Sequence, residues 1–384
     1  MANPTYRVVL REPVGGAKRA VFVGRGRYGP GTTNDGSLAA LNFWRRLRTA
    51  GSFTLYIDGQ DDRIAEFVDD AIVQIERFDV YSGAFVQVFE GLHASAELTM
   101  DKDGAERFIS RGRGMNNLLA GEVILGFVGD ATSLKSGASE TVAKAYVNEA
   151  IGPGAGVDDL GLSRVRTGLT IEADAGTGAV WTGDRANSNL LDVLIEIANY
   201  APGDFGIISG ATPGTFQFVW RDVRWGEDRS KLNTGGNAPV IFSPTRRNVE
   251  NISIIVSRLD EANVVYAIGQ GAGDQRARVT VANVASLGAS PLARRAVARD
   301  ASDESTPTGL TGRGYDALET FRPVVSARFD AINTDNTEWI RDWDVGDSVT
   351  VEYKNISITQ KIIGVRVTLD GAGSETVAAE AINE

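Results

Sequence analysis

From Phe216 to Val281 apolar and polar residues alternate with a period of two, in FQFVWRDVRW, PVIFSPTRRNVENISIIVSR and ANVVYAIGQGAGDQRARVTV, broken by glycine- and asparagine-rich turns. Extended backbone points successive side chains to opposite faces, so this rhythm predicts paired strands with one face buried. The 44 glycines, set among frequent Val, Ile and Thr, extend that expectation to the rest of the chain as short strands joined by tight turns. At 384 residues, two or three cores are expected.

The chain opens with strands at Thr5–Glu12 and Arg19–Gly24, followed by Leu38–Trp44 and Ser52–Ile57, the last with Phe53, Leu55 and Ile57 on one face. Two more flank the turn Tyr81-Ser82-Gly83, and LHASAELTM pairs with AERFISRG across Asp101–Gly104. Residues 1–132 therefore read as a first β-barrel. Residues 133–240 differ. They carry a helix at Ser139–Ile151 stopped by Gly152-Pro153-Gly154, and a second at Asn189–Tyr200 with Asp184 or Ser188 as its cap. A strand pair across Gly210–Gly214 completes a small α/β insertion. Residues 241–384 return to strands, including those through Val264, Tyr266 and Ile268 and through ARVTVA, and read as a second barrel made discontinuous by a loop and helix insert near 290–320, its short helix near Tyr315. The fold class expected is a β-rich α+β protein: two tube-like antiparallel β-barrels with an inserted small α/β domain.

The motifs argue against chemistry. With no cysteine, disulfides, zinc ribbons and thiolate nucleophiles are excluded. His93 is the single histidine and no G-x-S-x-G elbow accompanies it, so it is read as structural. Gly24, Gly26 and Gly29 spell G-x-G-x-x-G, but Pro30 and a polar run follow where a dinucleotide site needs a helix. Asp101-Lys102-Asp103-Gly104 lacks the later ligands of a calcium loop and is a hairpin turn. A formal charge of −11, from 39 basic and 50 acidic residues, argues against broad nucleic-acid binding. The start lacks a signal-peptide pattern, and no apolar run approaches the ~20 residues needed to span a bilayer. No catalytic, cofactor or metal site is expected.

Four segments, in order, resemble the baseplate-hub or tail-tip proteins of long-tailed, siphovirus-type bacteriophages: WRRLRTAGSFTLYI, GEDRSKLNTGGNAPVIFSPTRRNVENISI, NVVYAIGQGAGDQR and WDVGDSVTVEYKNISITQKIIGVRVTL. Ala50 stands where that family more usually has proline, Asn248-Val249 replaces Asn-Leu, and Ser290–Pro307 matches weakly. The resemblance implies a structural protein of the virion, made in the host cytoplasm. It would form a ring of three copies, with a tail-tube or distal-tail ring above, tip, spike or fibre proteins below, and the genome passing through without specific binding. Two other classes stay open: a wall-degrading glycosidase, with Glu227 and Asp228 as carboxylates, and a carbohydrate-binding host-attachment module using the six tryptophans. For assembly, Trp225, Asp228, Arg229, Trp339 and Trp343 are the expected interface residues, because Trp and Arg are enriched in interface cores. The competing reading is internal bracing, with Arg229 paired to Asp228 or a nearby carboxylate.

Overall fold

The computed structural model describes residues 5–24, 37–126 and 132–383. The motif positions Gly26 and Gly29 lie outside them. Strands from both ends of the chain share one sheet of 13 strands. Its order is Val249–Ser257, Val324–Ala331, Glu375–Ile382, Ile356–Leu369, Leu38–Arg46, Ser52–Asp58, Glu106–Gly114, Ala84–Met100, Ile72–Asp79, Tyr6–Arg11 and Lys18–Val23. Ser348–Tyr353 pairs with the near half of Ile356–Leu369 and takes the short strand Ile241–Phe242 in parallel on its other side.

The seam between the two halves is an antiparallel ladder, Leu41 opposite Leu369 and Phe43 opposite Val367. Among the described residues the paired strands run in one open order, with a single isolated bridge, Gly24 to Leu38, reaching back to the seam strand; the two expected barrels are not separate closed sheets but share one continuous β-rich layer. A single core follows. Phe43 packs on Phe89 and Trp339, while Phe242 packs on Phe329 and Trp343. The alternation seen in the sequence is what buries one face: in Ser52–Asp58, Phe53, Leu55 and Ile57 are inside.

The insert contains the helices Ser139–Ala150 and Leu190–Tyr200, which pack with Phe205, Phe218 and Trp220 of the hairpin Gly203–Ser209/Phe216–Asp222. Leu169–Ile171 adds to that hairpin in parallel. The cap of Leu190–Tyr200 is Asn189, not Asp184 or Ser188: its side-chain oxygen accepts the N–H groups of Leu191 and Asp192. Asp184 is drawn into the strand Val180–Arg185, and Ser188 pairs with Ile124.

The insert expected near 290–320 is part of a larger third unit that also takes strands assigned to the second barrel. Val264–Ile268 and Arg278–Ala282 leave the large sheet and, with Ala296–Asp300, form a separate three-stranded sheet under the helix Pro307–Thr320. That helix runs 14 residues through three glycines, a costly composition for a helix interior. Close packing explains it: a Cβ at Gly309 would sit 2.1 Å from the Glu304 carboxylate, and one at Gly314 2.6 Å from Val281. Among the described residues no helix is long and apolar enough to cross a membrane.

Candidate assembly joint

Three of the four segments quoted from the sequence meet at one place, while NVVYAIGQGAGDQR lies apart in the small three-stranded sheet. Asp204, at the start of the strand Gly203–Ser209, is fully buried. Its Oδ1 accepts from Arg48 Nε at 2.8 Å, and its Oδ2 accepts the Trp225 N–H at 2.7 Å and lies 2.7 Å from Lys361 Nζ. One carboxylate thus ties the first half of the sheet, the segment leaving the insert and the second half. Arg48 reaches it from a left-handed backbone conformation, φ 61°, at the turn after Leu38–Arg46, and also donates to Asn199 at 3.0 Å. With two cations and a backbone donor on it, the buried charge is compensated.

Beside it, Gly226 and Gly346 let two loops touch. A Cβ on Gly226 would meet Asp347 Oδ1 at 2.2 Å, and Gly346, at φ 96°, lies against Trp225. Ser348 and the Glu227–Arg229 backbone then exchange hydrogen bonds of 2.9 and 2.8 Å. Asp347 accepts the N–H groups of Glu227 and Asp344 and faces Arg229 at 3.4 Å. Burial pushes its carboxyl above the ordinary range, opposed by those N–H groups and by Arg229. Arg45 binds Asp344 at 2.9 Å. A cleft of about 230 Å³ opens next to this joint, between the large sheet and the insert, lined by Arg46, Gln87, Glu90, Asn116, Ser209 and Trp225 among others. Burial raises the Glu90 carboxyl there, against hydrogen bonds from Ser209 and Gln74.

Of the expected contact residues, Trp225, Asp228 and Arg229 lie at this joint and are half-buried. Arg229 pairs with Glu227 at 2.7 Å and with Asp347, not with Asp228, whose carboxylate accepts the Ser230 N–H. Glu227 and Asp228, the candidate glycosidase pair, are therefore engaged in local structure. Trp339 and Trp343 require a correction. Their side chains are 0% and 1% exposed and lie in the core, with Nε1 donating to Asp344 and to the Thr337 carbonyl. A side chain with no exposed area has none to bury against a partner, so these two brace the chain. His93 is buried, its Nδ1 2.8 Å from Ser110 Oγ. Among the described residues no cluster of His, Asp or Glu is arranged to hold a metal ion.

A second buried network was missing from the sequence reading. Arg185, wholly buried, joins Glu196 of the helix Leu190–Tyr200 to Glu304 at 3.1 Å, and Arg313 reaches Glu196 at 2.9 Å. It fastens the small unit to the insert. Glu196 was detectable in principle, because the helix LLDVLIEIANY is apolar nearly all round and offers a carboxylate at that position little water.

The profile of the family described as "Siphovirus ReqiPepy6 Gp37-like protein" matches residues 37–381. The chain belongs to this Gp37-like family. Its fold is shared over nearly the whole length with a tail protein from Neisseria meningitidis MC58 (TM-score 0.55, 16% identity, 99% of this chain and 97% of that one). It is shared also with the 43 kDa tail protein of prophage MuSo2 from Shewanella oneidensis (TM-score 0.53, 13% identity, covering 98% and 97%). Prophage tail protein gp18 from Listeria monocytogenes EGD-e is a third (TM-score 0.52, 9% identity, covering 99% and 94%). No curated protein matches the chain. Within the Gp37-like match fall both sides of the Asp204 joint, from Arg48 to Lys361.

Proposed function

We propose that the chain is a structural hub of a tail tip, in a phage or a tail-like particle, and acts in the virion. Copies assemble as a ring of three that adapts the tail tube or distal-tail ring above to tip, spike or fibre proteins below. Residues 1–132 and 241–384, apart from the small unit within 264–320, supply the two halves of the shared sheet and 133–240 the insertion. Two similar halves in each of three copies present six similar edges, which suits a threefold ring meeting a sixfold tube. The acidic balance suits a conduit that repels phosphate and lets the genome slide.

The observation that carries this reading is the Asp204 joint. It locks both halves of the sheet and the insert around one buried carboxylate, whose charge is spent on rigidity. Trp225, Asp228 and Arg229, at its surface, are assigned to contact with a neighbouring ring. Negative-stain images and mass photometry of the purified protein test the reading. Rings of three-copy mass are expected. Monomers at every concentration would overturn it, and clearing of a bacterial cell-wall suspension would replace it with an enzymatic role.

A further inference from the structure

Away from the joint, exposed apolar side chains gather at two places, each on backbone fixed by its own hydrogen bonds. The first is the hairpin of the insert closed by the bridge between Val157 and Ser163. The Asp158 carboxylate accepts the N–H groups of Leu160 at 2.9 Å and Leu162 at 2.8 Å, while buried Arg164 anchors the base by donating to the Val123 carbonyl at 2.6 Å. The hairpin holds Leu160, 78% exposed, and Leu162, 61% exposed, in water beside the exposed Asp159.

The second lies at one end of the small three-stranded sheet. Buried Asn263 donates to the Ala293 carbonyl at 2.7 Å and accepts the Arg295 N–H at 2.9 Å, and Asn283 donates to its carbonyl. Buried Glu261 takes Arg258 at 2.8 Å and Arg295 at 3.2 Å. From this clasp Leu259, 91% exposed, and Leu292, 87% exposed, stand out with Val284, next to the exposed Arg294 and Arg295. Large apolar side chains held in water on a fixed backbone mark surfaces that are covered in use. The two patches also differ in charge: Asp158 and Asp159 flank the first, whereas on the second Arg258, Arg294 and Arg295 outnumber the exposed Asp260 and the buried Glu261.

We propose that they are the two sides of one contact between neighbouring copies of this chain, the acidic apolar hairpin of one copy seated on the basic apolar end of the next. Both are open within a single chain, so neither covers the other there. Because the two sides differ, the contact runs head to tail, which is the kind of interface the proposed ring requires. The proposal rests on the ring reading above and specifies where copies meet.

The absence of cysteine provides the test. Leu160→Cys and Leu292→Cys proteins, mixed under a mild oxidant, are expected to cross-link about tenfold or more faster than either variant alone, because docking holds the two thiols at high effective concentration. Equal rates in all three samples overturn the contact. Separately, Asp159→Arg and Arg294→Glu, both at exposed positions, are each expected to lower the assembled fraction and together to restore it. Failure of the double variant to recover overturns it as well. Wild-type rings with indifferent cysteines sink this contact and leave the ring reading standing, whereas a wild type that stays monomeric sinks both.

Discussion

In the large sheet, Phe43, Phe89, Phe242, Trp339 and Trp343 pack into one apolar core fed by strands from both ends of the chain. The small unit within residues 264–320 has only two thin clusters, around Val265, Val281 and Ala317 and around Ala267, Ala301 and Leu310. It is seated on the insert by Arg185, Glu196, Glu304 and Arg313. Apolar area supplies stability wherever shapes fit. Buried ion pairs add little net stability but penalise every arrangement in which a partner is missing, so they fix position. The large sheet is held together by area, and the small unit is set in place by geometry.

The largest effect expected on this contrast is Arg185→Ala, which leaves Glu304 buried without its cation and Glu196 with Arg313 alone, and costs about 3–5 kcal/mol. The loss should be local: hydrogen exchange speeds up across residues 264–320 while the ladder between Leu38–Arg46 and Ile356–Leu369 keeps its protection. Uniform loss of protection would mean that the two regions are one cooperative unit. Trp343→Ala should do the converse, costing about 3–5 kcal/mol through the cavity it leaves and lowering the urea midpoint of the whole chain. If the variant kept wild-type stability and lost only assembly, the core assignment of Trp343 would fall.

A smaller, pH-dependent effect is expected in the insert. Burial raises the Glu140 carboxyl, but hydrogen bonds from Lys144, Thr177 and the Ala175 N–H outweigh it and bring it down to about 2. The folded value lies below the ordinary 4.5, so this carboxylate contributes stability in full above pH 4.5 and loses it as pH falls from there towards 2. Glu196 has the opposite sign: burial raises its carboxyl despite Arg185 and Arg313, so its contribution weakens as pH climbs above 4.5. An acid titration followed by tryptophan fluorescence should show Glu140→Gln flattening the slope between pH 4.5 and 2, and an unchanged slope would remove Glu140 from the account. The smallest change is Asn189→Ala, which removes the helix cap for about 1 kcal/mol. Thermal unfolding would read it, and no shift in Tm would return the cap to Ser188.

Strands and turns were legible because period-two alternation and glycine turns are local. Pairing was not. Nothing in WRRLRTAGSF says that Leu38–Arg46 lies beside Ile356–Leu369, and Val264–Ile268 alternates equally well whichever sheet it joins. Trp339 and Trp343 were assigned to an interface on residue type alone, whereas the loop turns both indoles inward and satisfies each Nε1. At the joint, Arg229 and its carboxylate neighbours were visible as a cluster. Asp204 was not, because its partners lie 156 and 157 positions away, Arg48 before it and Lys361 after it.

The ladder between Leu38–Arg46 and Ile356–Leu369 also governs how the protein is born. At ~5–20 residues per second, tens of seconds separate the synthesis of its two strands. During that time the first strand waits with an open edge, able to pair with other chains. Folding of the large sheet is therefore a late event, completed only when the far end of the chain arrives. A chaperone that shields Leu38–Arg46 during translation would raise the yield of assembled protein more than one that acts after release.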